Sequence, residues 1–166
     1  MTYITVYDRQ RTKVAVLENA FDIWEKHPLN GVATLGFTLP ADDPKNEYCK
    51  PLWYCRYGSG QLYRIQPSSL TVDEGRLIEY ECEHVITTLI DDILLDWHQV
   101  GNLGYYTQQV ISYILSHQLT QNWVLGTCEF SHQFEYGWES ENLLAALFSV
   151  PTPFLADYKW EFDTNV

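Results

Sequence analysis

The stretch from Leu77 to Leu95 changes its hydrophobic pattern midway. In its first half, apolar and acidic residues alternate, with Ile78, Tyr80 and Cys82 on one side and Glu79, Glu81 and Glu83 on the other. This period of two predicts a β-strand with one solvent-facing side. From residue 85 onwards the apolar residues follow a helical spacing, at positions 85, 86, 89, 90, 93 and 94. The pattern therefore predicts a strand that runs directly into an amphipathic helix.

Upstream of this stretch, the pattern predicts short strands separated by turns. Asn30-Gly31 and Gly58-Ser59-Gly60 are typical turn sequences, because both accommodate positive φ angles. The predicted strands before residue 77 are 2–7, 13–17, 23–27, 32–39, 52–57 and 61–66. Together with the strand that starts at residue 77, they predict a small antiparallel β-barrel or sandwich.

Downstream, helical and alternating patterns are mixed. Thr107 is a candidate cap for one helix, and Ser140 for a second helix that ends before Pro151. Further strands are predicted around Val124, at 128–134 and at 154–162. We therefore expect an α+β fold, with a mainly β, barrel-like domain at residues 1–96 and a mixed α/β portion at 97–166. An aromatic strand lies close to Val166, which leads us to expect that the chain is the front piece of a longer protein.

The acidic charge is concentrated in the second half of the chain. Residues 1–76 contain nine basic and nine acidic residues, whereas residues 77–166 contain thirteen acids and a single base, Lys159. Nucleic-acid binding draws on Lys and Arg that neutralise phosphates, so this composition argues against a nucleic-acid clamp. The chain also lacks a signal peptide and an apolar run of about 18 residues, so we predict neither export nor a membrane span.

The residues that could carry chemistry do not form a recognisable site. The cysteines and histidines are scattered, and the nearest pair is Cys82 and His84. Adjacent carboxylates such as Asp91-Asp92 do not have the separation that a glycosidase requires. No nucleophile-elbow or phosphate-loop motif is present. We therefore assign no catalytic residue, metal site or cofactor.

The aromatic residues Trp53, Tyr54 and Tyr57 lie next to the glycine-rich turn at 58–60. Such rings stack on sugars in carbohydrate-binding modules, and they also pack into cores and against neighbouring subunits. We prefer the second interpretation and treat these three residues as candidate interface aromatics.

Several segments resemble the amino-terminal region of phage minor structural proteins, the tail-associated proteins known as prophage endopeptidase tail proteins. The resemblance covers residues 60–164 in the order and spacing of its pieces. They are Tyr80-Glu81-Cys82-Glu83-His84-Val85, then Leu89 and Asp91-Asp92, then the run 138–147, Pro151-Thr152-Pro153-Phe154 and Phe162-Asp163-Thr164.

This resemblance implies a phage tail hub-like fold of small β-barrels with an inserted α/β portion. It implies a homotrimeric ring at the virion tail tip, the baseplate hub, which holds the distal tail protein and the tail tube or tape-measure proteins. The hub region of the family is structural, so the resemblance supplies no catalytic residues. Two alternatives stay open: a cell-wall-degrading tail lysin or endopeptidase, and a carbohydrate-binding module.

In a tail hub, Glu79, Glu81 and Glu83 could face the lumen of the ring. Carboxylates there would repel passing DNA rather than bind it. The alternative is an ordinary solvated strand face.

Overall fold

The computed structural model describes residues 2–72, 75–101 and 104–164, and it divides the chain into two compact units. The first unit is Met1–Val85 with Lys159–Val166, and the second is Ile86–Tyr158. The division thus falls at residues 85 and 86, eleven residues before the predicted boundary between 96 and 97.

The first unit is built on one antiparallel sheet. Its strands are β1 (Ile4–Tyr7), β2 (Lys13–Leu17), β3 (Phe21–Lys26), β4 (Thr34–Pro40), β5 (Tyr54–Tyr57), β6 (Leu62–Val72) and β7 (Leu77–His84). The strand order is β2-β1-β5-β6-β7-β4-β3. Each of the seven predicted strands has a counterpart among these. The predicted antiparallel β architecture is therefore confirmed.

The prediction of a closed barrel or a sandwich is wrong. The seven strands belong to a single sheet, and β2 and β3 each pair on one side only. The outer side of β2 instead meets the 3₁₀ helix Pro44–Tyr48: Lys45 Nζ donates to the Val16 carbonyl at 2.6 Å, and Asn19 Nδ2 donates to Asp43 Oδ2 at 2.8 Å. Side chains, rather than another strand, therefore cover this edge.

The core of the first unit uses one face of six of its strands. The fully buried side chains include Ile4, Val6, Leu17, Leu35, Phe37, Leu39, Cys55, Tyr63, Ile65 and Cys82. In β7 the burial alternates as the sequence predicts, with Tyr80, Cys82 and His84 buried. Phe37 on β4 stacks on its register partner Tyr80, with ring centroids 5.1 Å apart.

The second unit contains a β-ribbon covered by two helices. After a 3₁₀ helix at Val85–Ile90 come β8 (Ile93–Gly101), α1 (Thr107–Leu115), β9 (Glu135–Asn142) and α2 (Leu143–Ser149). Strands β8 and β9 pair antiparallel as a two-stranded sheet. Tyr136 and Trp138 on β9 face α2, where the Tyr136 hydroxyl donates to the Val150 carbonyl and Trp138 Nε1 donates to Ser149 Oγ. No helix in the described ranges is long and apolar enough to cross a membrane.

The helix predicted from residue 85 to 94 is wrong. The chain forms a short 3₁₀ helix and then the strand β8. Leu94 is buried between the exposed Ile93 and Leu95, which is a strand alternation that overlaps the helical spacing. Pairing with β9, a segment about 40 residues away, decides between the two patterns.

The other predicted elements of the second half also differ from the structure. The strands predicted near Val124, at 128–134 and at 154–162 are irregular in this fold, and the ribbon partner is Glu135–Asn142 instead. Thr107 is the first residue of α1, with Tyr106 at the cap position. Asn142 rather than Ser140 caps α2, through a 2.9 Å bond from the Ala145 N–H to Asn142 Oδ1.

The segment 159–164 keeps its predicted alternation without forming a strand. Trp160 and Phe162 are half-buried, whereas Lys159, Glu161 and Asp163 are exposed. The segment is held to the first unit by Trp160 N–H donating to Asn30 Oδ1 at 2.9 Å and by Leu62 N–H donating to Thr164 Oγ1 at 2.9 Å.

Candidate functional site

Three carboxylates form a row on the solvent face of β7. We call Glu79, Glu81 and Glu83 the carboxylate row. Glu79 and Glu81 are exposed and Glu83 is half-buried, while the residues between them point into the core. Alternate residues on a strand lie roughly 7 Å apart, so the row is a line of negative charge along the middle of the sheet. The sequence prediction that these side chains share one face is confirmed.

The neighbours of the carboxylate row differ along its length. Glu83 has Arg64 as its register partner on β6 and accepts a 2.7 Å hydrogen bond from Gln66 Nε2. Glu81 lies opposite Gly36 on β4, and the indole of Trp24 covers that glycine. A cation and an amide therefore compensate the charge of Glu83, whereas Glu79 and Glu81 present theirs to solvent. That this face lines a lumen stays a prediction.

The candidate interface aromatics do not form one surface cluster. Trp53 and Tyr57 pack against the core of the first unit, and Lys50 Nζ lies 4.7 Å from the centre of the Trp53 ring. Tyr54, which lies between these two residues in the sequence, is half-buried and pairs with Arg64 on β6. The alternation of β5 therefore separates Tyr54 from its two neighbours, and an interface role for any of the three stays a prediction.

The buried titratable groups of the first unit have the properties of packing residues. Cys55 Sγ and Cys82 Sγ are free thiols 3.4 Å apart inside the core. Burial raises the pKa of Cys82 well above its usual value and that of Cys49 to about 12. Burial also lowers the pKa of His84 to about 4. The Cys49 and Cys82 thiols therefore stay protonated and the His84 imidazole stays neutral near pH 7. The described residues contain no group of three or more His, Cys, Asp or Glu that could hold a metal.

A small polar cavity lies in the second unit beside Asp91 and Asp92. Its other lining residues include Thr88, Gln118, Thr120 and Asn122, and its volume is about 140 Å³. Asp92 Oδ2 accepts a hydrogen bond from the Leu119 N–H at 3.3 Å. Small-molecule sites usually occupy about 300–1,000 Å³, so this cavity is small for a substrate cleft.

The sequence interpretation missed an exposed apolar surface on the β8–β9 ribbon. Ile93, Leu95 and Trp97 on β8 are 51%, 68% and 61% exposed, and the pairing of β8 with β9 shifts register between Leu94 and Trp97. Glu139 on β9 is the register partner of Trp97, and the exposed Glu135 lies on the same side of β9 as Glu139. We call these five residues the ribbon face. The spacing 93, 95, 97 was the signal that could have revealed it.

Two family models match almost the whole chain in succession. The prophage endopeptidase tail N-terminal domain matches residues 4–84, and the prophage endopeptidase tail domain matches residues 86–166. The junction of the two matches coincides with the division between the compact units.

Two solved structures have a similar fold. The prophage tail protein gp18 from Listeria monocytogenes EGD-e is 12% identical, with a TM-score of 0.70 over 90% of this chain. The tail protein from Neisseria meningitidis MC58 is also 12% identical, with a TM-score of 0.58 over 91% of this chain. This chain spans 45% of the length of each of them. No curated protein sequence matches it.

The two successive domain matches, which meet where the two compact units divide, place this chain in the prophage endopeptidase tail family of phage tail-associated proteins.

Proposed function

We propose that this chain is a structural component of the phage tail tip, the part of a baseplate hub that forms a ring and holds neighbouring tail proteins. The observation that carries the proposal is the pair of tail-domain matches, which together span residues 4–166. In the proposed assembly, three copies form a ring beneath the distal tail protein and close the tail tube. The chain contributes no catalytic centre of its own.

The oligomeric state tests the ring. Sedimentation equilibrium of the purified chain, alone and with the distal tail protein from the same phage, is expected to show a trimer in at least one condition. A chain that stays monomeric in both, at concentrations of several hundred micromolar, would contradict the ring.

The carboxylate row fits the lumen of such a ring. Glu79 and Glu81 are exposed on an interior strand of the sheet, and a line of like charge repels DNA phosphates as they pass. The register partners of Glu79 and Glu81 on β4 are Thr38 and Gly36, so β4 places no cation opposite either carboxylate. A lumen role would explain negative charge at these two positions.

The position of Glu81 in the ring can be observed directly. We would replace Glu81 with Cys and label it with maleimide-linked gold, in a Cys128→Ser background. The three other thiols are buried and should not react. Electron microscopy of the assembled ring should show gold inside the channel for Glu81→Cys and elsewhere for the control Asp42→Cys. Gold on the outer rim for Glu81→Cys would refute the lumen assignment.

The endopeptidase in the family name would, in this proposal, reside in a part of the protein beyond this chain. Incubation of purified peptidoglycan with this chain should therefore release no muropeptides. Release that disappears on replacement of Asp91 and Asp92, which line the small cavity, would instead assign hydrolysis to the second unit.

A further inference from the structure

The positive charges of this chain are confined to one of its two units. All ten Lys and Arg residues belong to the first unit, whereas residues 86–158 contain eight acidic residues and neither Lys nor Arg. A surface of the second unit that binds protein must therefore obtain its counter-charges from outside that unit.

The ribbon face has the chemistry of a guanidinium site. The Trp97 indole lies against the backbone of β9, since a Cβ built on Gly137 would be only 2.7 Å from the ring. Its other side is open, as the 61% exposure shows. Glu139 is the register partner of Trp97, so a carboxylate stands beside the ring. Arginine stacks on an indole and pairs with a carboxylate through the same planar group.

Leu95 and Ile93 extend this surface with apolar area. They are among the most exposed large hydrophobic side chains of β8. Isolated exposed leucines are ordinary, but three large exposed apolar side chains within five residues of one strand, next to acidic residues, are typical of a binding surface.

The first unit presents an exposed cationic loop, the β1–β2 hairpin tip at residues 8–13. Arg9, Arg11 and Lys13 are exposed there. The one acid of the tip, Asp8, directs its Oδ1 at the tip's own backbone, where it accepts from the N–H groups of Gln10 and Thr12 at 2.9 and 2.8 Å. The tip therefore carries exposed positive charge at Arg9 and Lys13.

We propose that the ribbon face of one copy binds the β1–β2 hairpin tip of a second copy. The two surfaces are complementary in charge, and Arg9 of the tip would stack on Trp97 and pair with Glu139. Contact between two ribbon faces is disfavoured, because their carboxylates repel each other. A contact between different surfaces of identical chains produces a ring when the rotation that it imposes closes on itself. The inference rests on the proposed ring and assigns the surfaces that make it.

Substitutions of Leu95 and Trp97 test the apolar contribution of the ribbon face. Leu95→Ser and Trp97→Ala should weaken self-association at least tenfold in sedimentation experiments. The matched control Leu155→Ser removes a leucine that is fully exposed and outside the ribbon face, and should leave assembly unchanged. Equal effects of Leu95→Ser and Leu155→Ser would overturn the assignment.

A charge swap tests the electrostatic contribution. Arg9→Glu with Arg11→Glu reverses the charge of the tip, and Glu135→Lys with Glu139→Lys reverses the charge of the ribbon face. Each pair alone should weaken assembly at least tenfold, and the chain with all four changes should recover to within about threefold of wild type. Asp42→Lys, an exposed acid outside both surfaces, is the charge control and should have no effect.

The outcomes separate this inference from the ring itself. If wild type assembles and the four-fold variant is no better than either pair, the ring stands and the assignment of surfaces is wrong. If wild type does not assemble, the ring and this inference fail together. Circular dichroism and urea midpoints of every variant identify any loss of assembly that comes from unfolding.

Discussion

Gly36 and Trp24 illustrate how one small residue creates a place for a large one. Gly36 lies on β4 next to β3, and a Cβ built there would be 2.1 to 2.4 Å from three atoms of the Trp24 indole. The ring therefore lies flat on the backbone of β4, with Lys26 Nζ 4.5 Å from its centre. The Trp24 indole thus occupies the space that a side chain at position 36 would otherwise fill.

We predict that Gly36→Ala destabilises the first unit by about 1–3 kcal/mol, because the indole must leave its position or the sheet must shift. Urea unfolding measures the loss, and the emission maximum of Trp24 should move to longer wavelength. Gly126→Ala is the matched control, since a Cβ there meets no atom within 4 Å. Similar losses in the two variants would refute the packing argument.

His84 is a buried imidazole at the end of β7, edge-on to Tyr63 with ring centroids 5.9 Å apart. Burial, with a smaller contribution from His27, lowers its pKa from 6.5 to about 4. The unfolded chain therefore takes up a proton at a higher pH than the folded chain does. This stabilising contribution is complete above pH 6.5 and is lost as the pH falls from 6.5 towards 4.

We predict that the free energy of unfolding is lower at pH 5.5 than at pH 7.5 by about 1–1.5 kcal/mol on account of His84. Comparison with a variant that lacks this imidazole isolates its contribution. Urea unfolding of His84→Gln should show a smaller difference between the two pH values than wild type. His117→Gln, in the second unit, is the control, and an unchanged pH dependence in His84→Gln would refute the assignment.

Among the elements, α2 shows how a cap fixes where a helix begins. Ser140 and Asn142 are both suitable N-cap residues, and the sequence does not decide between them. In the fold, β9 continues through Asn142, and Ser140 takes a φ of 53° within that strand. The strand pairing therefore leaves Asn142 as the first residue that can turn its side chain to the helix.

We predict that Asn142→Ala destabilises the second unit by about 1 kcal/mol, because the Ala145 N–H loses its acceptor. Asn142→Asp should retain most of the stability, since a carboxylate caps equally well. Urea unfolding or amide exchange of the α2 segment provides the measurement. Equal losses in the two variants would indicate a role for Asn142 other than capping.

The strands of the first unit were predictable because their signals are local. In β7 the alternation of Tyr80 and Cys82 with Glu79 and Glu81 identifies both the strand and its solvent-facing side. The error at residues 85–94 has a different origin: the positions of Ile86, Leu89, Ile93 and Leu94 satisfy a helical stripe, and Ile93, Leu95 and Trp97 also satisfy a strand. Local sequence cannot choose between them, since the choice depends on pairing with β9.

For the whole molecule, the two units differ sharply in charge. The second contains eight acidic residues without Lys or Arg, so its carboxylates repel one another with little internal compensation. The first contains all ten basic residues beside fourteen acidic ones. Salt should therefore affect the two units unequally.

We predict that raising NaCl from about 20 mM to about 500 mM stabilises the second unit more than the first, because the Debye length falls and screens the like charges. Amide hydrogen exchange resolved by mass spectrometry can follow β9 and β7 in the same sample. Protection should rise severalfold in β9 and change less in β7. An equal change in both strands would contradict the effect of charge segregation.

Periodicity along the chain was enough to specify the seven strands of the first unit and the solvent-facing side of β7. Composition was enough to establish the acidic character of the second half. Each of these depends on side chains within a few positions of one another, where alternation and charge are visible directly. The open sheet, the ribbon of β8 with β9 and the cap at Asn142 arise from pairings between distant segments. Hydrogen bonding and burial across those distances choose between local patterns that are equally acceptable along the chain, and so the ribbon face becomes visible only once the chain is folded.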